Sequence, residues 1–124
     1  TTKKSQKLVS RINKSFNHYT HYSKVNEKEA RKILVKRIRF LTGNTRLANN
    51  KSNILVGVYY SNSFLTELGD IRHLDNILNS NINRVPSASL KRRLKKYSFT
   101  KGFTEKRFSS FLASELKEIM NIWK

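Results

Sequence analysis

Charge in this chain is segregated, and the segregation limits where a core can form. Residues 1–51 hold 14 Lys/Arg against Glu27 and Glu29, and residues 52–90 hold only Arg72 and Arg84 against Glu67, Asp70 and Asp75. Residues 91–124 hold ten cations against Glu105, Glu115 and Glu118. Net charges of +12, −1 and +7 follow, so two basic thirds flank a neutral middle. The total of +18 opposes a compact free state through self-repulsion. The middle is therefore expected to supply much of the core, and the ends to carry the surface that meets a polyanion. The densest block is "SLKRRLKKYSF", Ser89 to Phe99, where Lys91, Arg92, Arg93, Lys95 and Lys96 are interrupted only by Leu94.

A length of 124 residues fits one domain, and a 37% apolar share implies a modest core. The expected organisation is a single domain over 1–124. It comprises a basic N-terminal helix or extension (1–25), a helix plus neutral core (26–90), and a basic helix with an amphipathic C-terminal helix (91–124). Cysteine is absent, which excludes a disulfide scaffold, a Cys-ligated zinc site, an iron–sulfur cluster and a thiol nucleophile. The longest apolar run, "ILVGVYY" from Ile54 to Tyr60, is too short for a bilayer, and no signal-peptide pattern opens the sequence. The expectation is a soluble intracellular protein. Thirteen Asn and one Pro suggest an AT-rich genome, hence the cytoplasm of a low-GC bacterium or an organelle matrix such as the mitochondrion.

The fold class expected is mainly α, a small helical domain with a minor β element near 54–60 and basic terminal regions. Leu8, Ile12, Phe16 and Tyr19 recur at helical spacing over Ser5–Tyr22. A second helix is expected over Glu27–Thr42, with Asn26 as its cap, Glu29 three residues on, an apolar stripe of Ala30, Ile33, Leu34, Ile38 and Leu41, and Gly43 as its stop. Asn44–Asn53 reads as polar loop and "NILVGVYYSN" as a buried strand. Ser63–Asn81 reads as a helix that Gly69 weakens by roughly 1 kcal/mol relative to Ala. Ser87 or Ser89 starts a short helix to about Tyr97, "SFTKGF" reads as a turn, and Thr104 starts a last helix carrying Phe108, Phe111, Leu112, Leu116, Ile119 and Trp123.

Catalytic signals are weak. "HYTH" sets His18 and His21 three apart, a spacing that can share a metal, but the first 26 residues offer no Asp, Glu or Cys as a third ligand. In "GDIRHLD", Asp70 and His73 share a helical face from which Asp75 diverges. GxSxG, Walker, GxGxxG and HExxH patterns are all missing. No enzyme activity, cofactor or metal is expected.

Nucleic-acid binding is the better-supported expectation, because Lys and Arg neutralise phosphates and release counterions without reading sequence. The candidate contacts are Lys91, Arg92, Arg93, Lys95, Lys96 and Lys101, then Lys32, Lys36, Arg37 and Arg39, then Lys3, Lys4, Lys7 and Arg11. Phe99 and Phe103, in the expected turn, are candidates for stacking on unpaired bases. The basic helix 87–97 followed by helix 104–122 outlines a helix-turn-helix. However, the connection exceeds the usual three or four residues, and the second helix carries three acids. A small core with basic ends matches, in composition, an RNA-binding component of a ribosome or similar ribonucleoprotein, with neighbouring proteins as further partners. The alternatives are a DNA-binding protein of a phage or mobile element, and a basic inhibitor docking on a host nucleoprotein. A membrane-surface role is disfavoured by Glu105, Glu115 and Glu118 on the last helix.

Overall fold

The computed structural model describes residues 3–47, 55–57, 68–105 and 108–123. The chain is mainly α-helical with a minor β element. Its largest element, α1 (Lys3–Thr42), runs for 40 residues and leaves helical geometry at Asn26, with φ −152° and ψ 90°. Asn26 is the N-cap the sequence suggests, since its Oδ1 accepts from the Glu29 N–H at 3.2 Å. The break folds α1 into a hairpin. His18 and Arg37 would lie roughly 28 Å apart along a continuous helix; their side chains instead meet at 2.9 Å. Across the bend the Tyr19 hydroxyl donates to Glu27.

The first limb (3–25) buries Leu8, Ile12, Phe16 and Tyr19, the stripe read from the sequence. The second limb (27–42) is enclosed on more than one side: Ile33, Leu34, Val35, Arg37, Ile38 and Leu41 are all buried. One side joins the main core with α2 (Leu68–Asn83) and α3 (Ala88–Leu94), through Ile71, Leu74, Leu78, Ile82, Leu90 and Leu94. The other side, at Ile33, meets Phe111 and Ile119, with Phe40, Leu116 and Met120 around them. Trp123 packs against both clusters. Its indole donates to Ser15 Oγ, which donates in turn to the Arg11 carbonyl, so this fully buried hydroxyl is satisfied.

Beyond α1 the chain departs from the sequence reading in three places. The first is Asn44–Leu47, which forms β1 where a polar loop was expected. It is the middle strand of a small sheet. It pairs antiparallel with β2 (Leu55–Gly57), inside the expected 54–60 strand, and parallel with β3 (Phe108–Phe111). Residues 54 and 58–60 of that strand, 48–53 of the expected loop and 63–67 of the expected Ser63–Asn81 helix lie outside the described residues. The second is "SFTKGF", read as a turn, where Phe99–Thr104 is the helix α4. The third is the expected helix over 104–122, which is β3 followed by α5 (Ala113–Met120). Pairing with β1 holds 108–111 extended, although Phe108 and Phe111 also suit a helical period.

The amides of the first turn of α4 are satisfied from outside the helix ladder. Asp75 accepts from the amides of Phe99 and Thr100 at 2.6 and 3.1 Å, and from the Thr100 hydroxyl at 2.5 Å. Ser98 Oγ takes the Lys101 amide and the Ser98 carbonyl takes the Gly102 amide. The close approach of α4 to the end of α1 explains Gly102: a Cβ there would stand 1.7 Å from the Thr42 carbonyl oxygen. Overpacking usually costs about 1–3 kcal/mol. Gly102→Ala should cost at least that, because the obstructing atom is backbone, and a lowered urea midpoint relative to the parent chain is the expected result. An unchanged midpoint would mean that α4 does not rest on Thr42.

Candidate functional site

The cations proposed from the sequence divide into two groups. Those of the second limb of α1, and Arg11, are mostly engaged by the protein itself, in burial, ring contacts or ion pairs. The Arg37 side chain is buried, at 1% exposure. Its Nε donates to the Ile119 carbonyl at 3.0 Å, and its other nitrogens to the Glu118 carbonyl, Asn121 Oδ1 and His18 Nδ1. It thus holds the last carbonyls of α5, where a helix favours positive charge. Burial, only partly countered by the Glu118 carboxylate, lowers its pKa to about 10, so it stays charged at neutral pH. Arg39 stacks its guanidinium over Phe111 at 4.5 Å. Arg11 lies over Trp123 at 5.1 Å, and burial lowers its pKa. Lys36 pairs with Glu115 at 3.3 Å, whose other oxygen accepts from the Leu112 amide. That backbone bond first, then Lys36, holds the Glu115 carboxyl below its ordinary range. Lys32 is exposed and 3.9 Å from Glu29.

These placements correct the sequence reading at Arg37, which is closed to phosphate, and turn Arg39 and Arg11 from surface contacts into packing groups. Phe99 is corrected too: it is fully buried in the main core and cannot stack on a base. Lys3 and Lys4 lie in the first turn of α1 and Phe103 in α4, but their side chains fall outside the described residues. Lys7 is exposed.

The second group sits on α3 and just beyond it. Ser87 caps the helix by accepting from the Leu90 amide. Arg31, held by Glu27 at 2.7 Å, donates to Ser87 and Ser89 and so fixes the start of α3 to α1. Leu90 and Leu94 are fully buried. That anchored edge turns Arg92, Arg93, Lys95 and Lys96 to solvent, with Lys91 half-buried and Lys101 exposed on α4. Among the described residues, no acid pairs with Lys91, Arg92, Arg93, Lys95 or Lys101.

Two grooves are present near these groups. One, of about 270 Å³, is lined by His18, Tyr22, Glu29, Ile33, Arg37, Glu118 and Asn121. Its two carboxylates oppose an anionic ligand, and Arg37 already spends four of its five N–H donors on His18 and the end of α5. The other, of about 160 Å³, lies between the first limb and the turn from α2 to α3, with Asn17, Thr20, Asn81, Arg84 and Pro86 among its lining residues. Nothing local in the sequence marks this second groove, because its walls come from segments some 60 residues apart.

The histidine and aspartate clusters weighed for catalysis are placed as follows. His18 bonds to Arg37, His21 and His73 are exposed, and Asp75 caps α4. No group of three His, Cys, Asp or Glu that could hold a metal occurs among the described residues, nor does a helix long and apolar enough to cross a membrane. No family model, no curated protein and no solved structure matches this chain.

His18 gives the fold a pH dependence. Arg37 can only donate, so His18 Nδ1 must accept and the neutral imidazole carries its proton on Nε2. Burial first, then the Arg37 charge, holds the His18 pKa below its ordinary value of 6.5. Between 6.5 and that lowered value the unfolded chain binds a proton the folded chain refuses, so stability falls as pH falls. The melting temperature should drop from pH 7 to 5.5, and His18→Gln, which keeps an acceptor for Arg37, should flatten that drop. Superimposable pH profiles for the two proteins would overturn the assignment.

Proposed function

We propose that this chain is a non-catalytic nucleic-acid-binding protein. Its partner is structured RNA in a ribosome or similar ribonucleoprotein particle, and α3 is its main docking element. One observation carries the reading: Arg31, Lys32, Lys36, Arg37 and Arg39 of the second limb are paired, stacked or buried, whereas Arg92 and Arg93 of α3 and Lys95 just beyond it form a contiguous exposed group without acid partners among the described residues. An ordinary solvated face mixes signs. A rigidly anchored face of a single sign suits a row of phosphates, with each contact releasing counterions. The same helix needs no cation for its own packing, which Leu90 and Leu94 supply.

The rival DNA-binding reading, by a helix-turn-helix, has less support. The helix that follows α3 is α4, of six residues, whose Phe99 is buried and whose Gly102 abuts Thr42. A helix so engaged has little left to present to a major groove.

Replacing Arg92, Arg93 and Lys95 with Ala tests the proposal. If about eight phosphates are neutralised by the parent chain, log K should fall with log[salt] at a slope near −7 on a duplex, or about −5.5 on single strands. The triple variant should flatten the duplex slope by about 2.5 to 3 units, and its melting temperature should hold or rise as self-repulsion eases. An unchanged slope would reduce α3 to a solvated face. Tighter binding to duplex DNA than to structured RNA would favour the rival partner, and Mg²⁺-dependent cleavage of either strand would make the protein an enzyme.

A further inference from the structure

The smaller groove is built differently from the rest of the basic surface. It is a cleft of about 160 Å³, and its polar residues are two asparagines, a threonine and one arginine, with no acid. Asn81 is oriented by its neighbours. Its Nδ2 donates to the Ile77 carbonyl at 3.0 Å and to Asn13 Oδ1 at 3.1 Å. The carbonyl can only accept, so the amide cannot be flipped, and the spare capacity of Asn81 is its Oδ1 acceptor. Asn17 and Arg84 are exposed, and the Arg84 backbone is fixed by the hydrogen bond its N–H donates to the Asn81 carbonyl at 3.1 Å. Buried Phe16, Tyr19 and Val85 supply apolar lining, and Pro86 is exposed beside them. Ser87, which follows Pro86, caps α3, so the cleft adjoins the proposed docking helix. A small cleft with amide groups, apolar lining and one cation has the chemistry of a site for an unstacked base and its phosphate.

We propose that this cleft receives one unpaired nucleotide of the bound strand, with the amides of Asn17 and Asn81 on the base edge and Arg84 on the phosphate. The inference rests on the nucleic-acid reading above and adds a preference: α3 holds the backbone without regard to pairing, and the cleft selects a strand with a base out of its stack.

The test uses the full ¹⁵N-labelled chain and follows the side-chain amide signals of Asn17 and Asn81. Adenosine and cytidine 5′-monophosphates at millimolar concentration should shift both signals, whereas ribose 5-phosphate and inorganic phosphate should not. Arg84→Gln, at an exposed position, should weaken the nucleotide response about tenfold, as loss of a charge-assisted hydrogen bond implies. In a second arm, hairpin RNA with an unpaired loop should bind more tightly than the same stem closed as a duplex. Asn17→Ala should erase that preference while leaving the salt slope intact. If ribose 5-phosphate reproduces the shifts, or if hairpins bind with a steep slope while mononucleotides leave both amides unmoved, the cleft is not a base site and the α3 reading stands. If mononucleotides shift the amides but no oligonucleotide binds, the cleft stands as a mononucleotide site and the docking proposal falls.

Discussion

One residue out of helical geometry organises the rest of the chain. Without the break at Asn26, 40 residues of α1 would extend about 60 Å, and its two apolar stripes would follow one another along a rod. Turning the second limb back makes the stripes face each other and leaves a central helix with burial on more than one side. That central position is why Arg37 sits inside. The α5 carbonyls approach the second limb at that point, and an arginine with several donors in a fixed fork can satisfy them together with His18.

The two limbs of α1 were legible because each signal is local: Asn26 and Glu29 cap within one turn, and the stripes repeat every 3.6 residues. The interior arginine was legible in principle. Arg37 lies four residues after Ile33 and four before Leu41, on the apolar stripe, and charge type alone had assigned it to the surface. Helix α4 and the strands β1 and β3 were not legible, because what fixes them is distant. Asp75 caps α4 from 24 residues away, and β3 is held by β1 across more than sixty residues. Ser98 was a local hint at α4, but Gly102 reads as turn chemistry until its contact with Thr42 is seen.

At the candidate interface, α3 was readable because its buried edge and charged arc are both properties of one short helix. The cleft beside it was not, since Asn17 and Asn81 share a wall only after the first limb and α2 have packed. The same limit applies to Phe99. An aromatic ring beside lysines suggests base stacking, whereas the Asp75 bond to the Phe99 amide helps to set that residue into the core.

Arg37 also bears on the order in which the molecule can be assembled. Its acceptors on α5 and at the residue that caps it lie 81, 82 and 84 residues further along the chain. During synthesis at about 5–20 residues per second, the second limb leaves the ribosome several seconds before those acceptors exist. In that interval a guanidinium on an apolar stripe has to stay in water, which holds open the side of the hairpin that α5 later covers. Contacts of such separation slow folding through the entropy of closing the intervening loop. The nascent hairpin can therefore gather its first core with α2 and α3 early, while the layer at Ile33, Phe111 and Ile119 must wait for β3 and α5 to arrive.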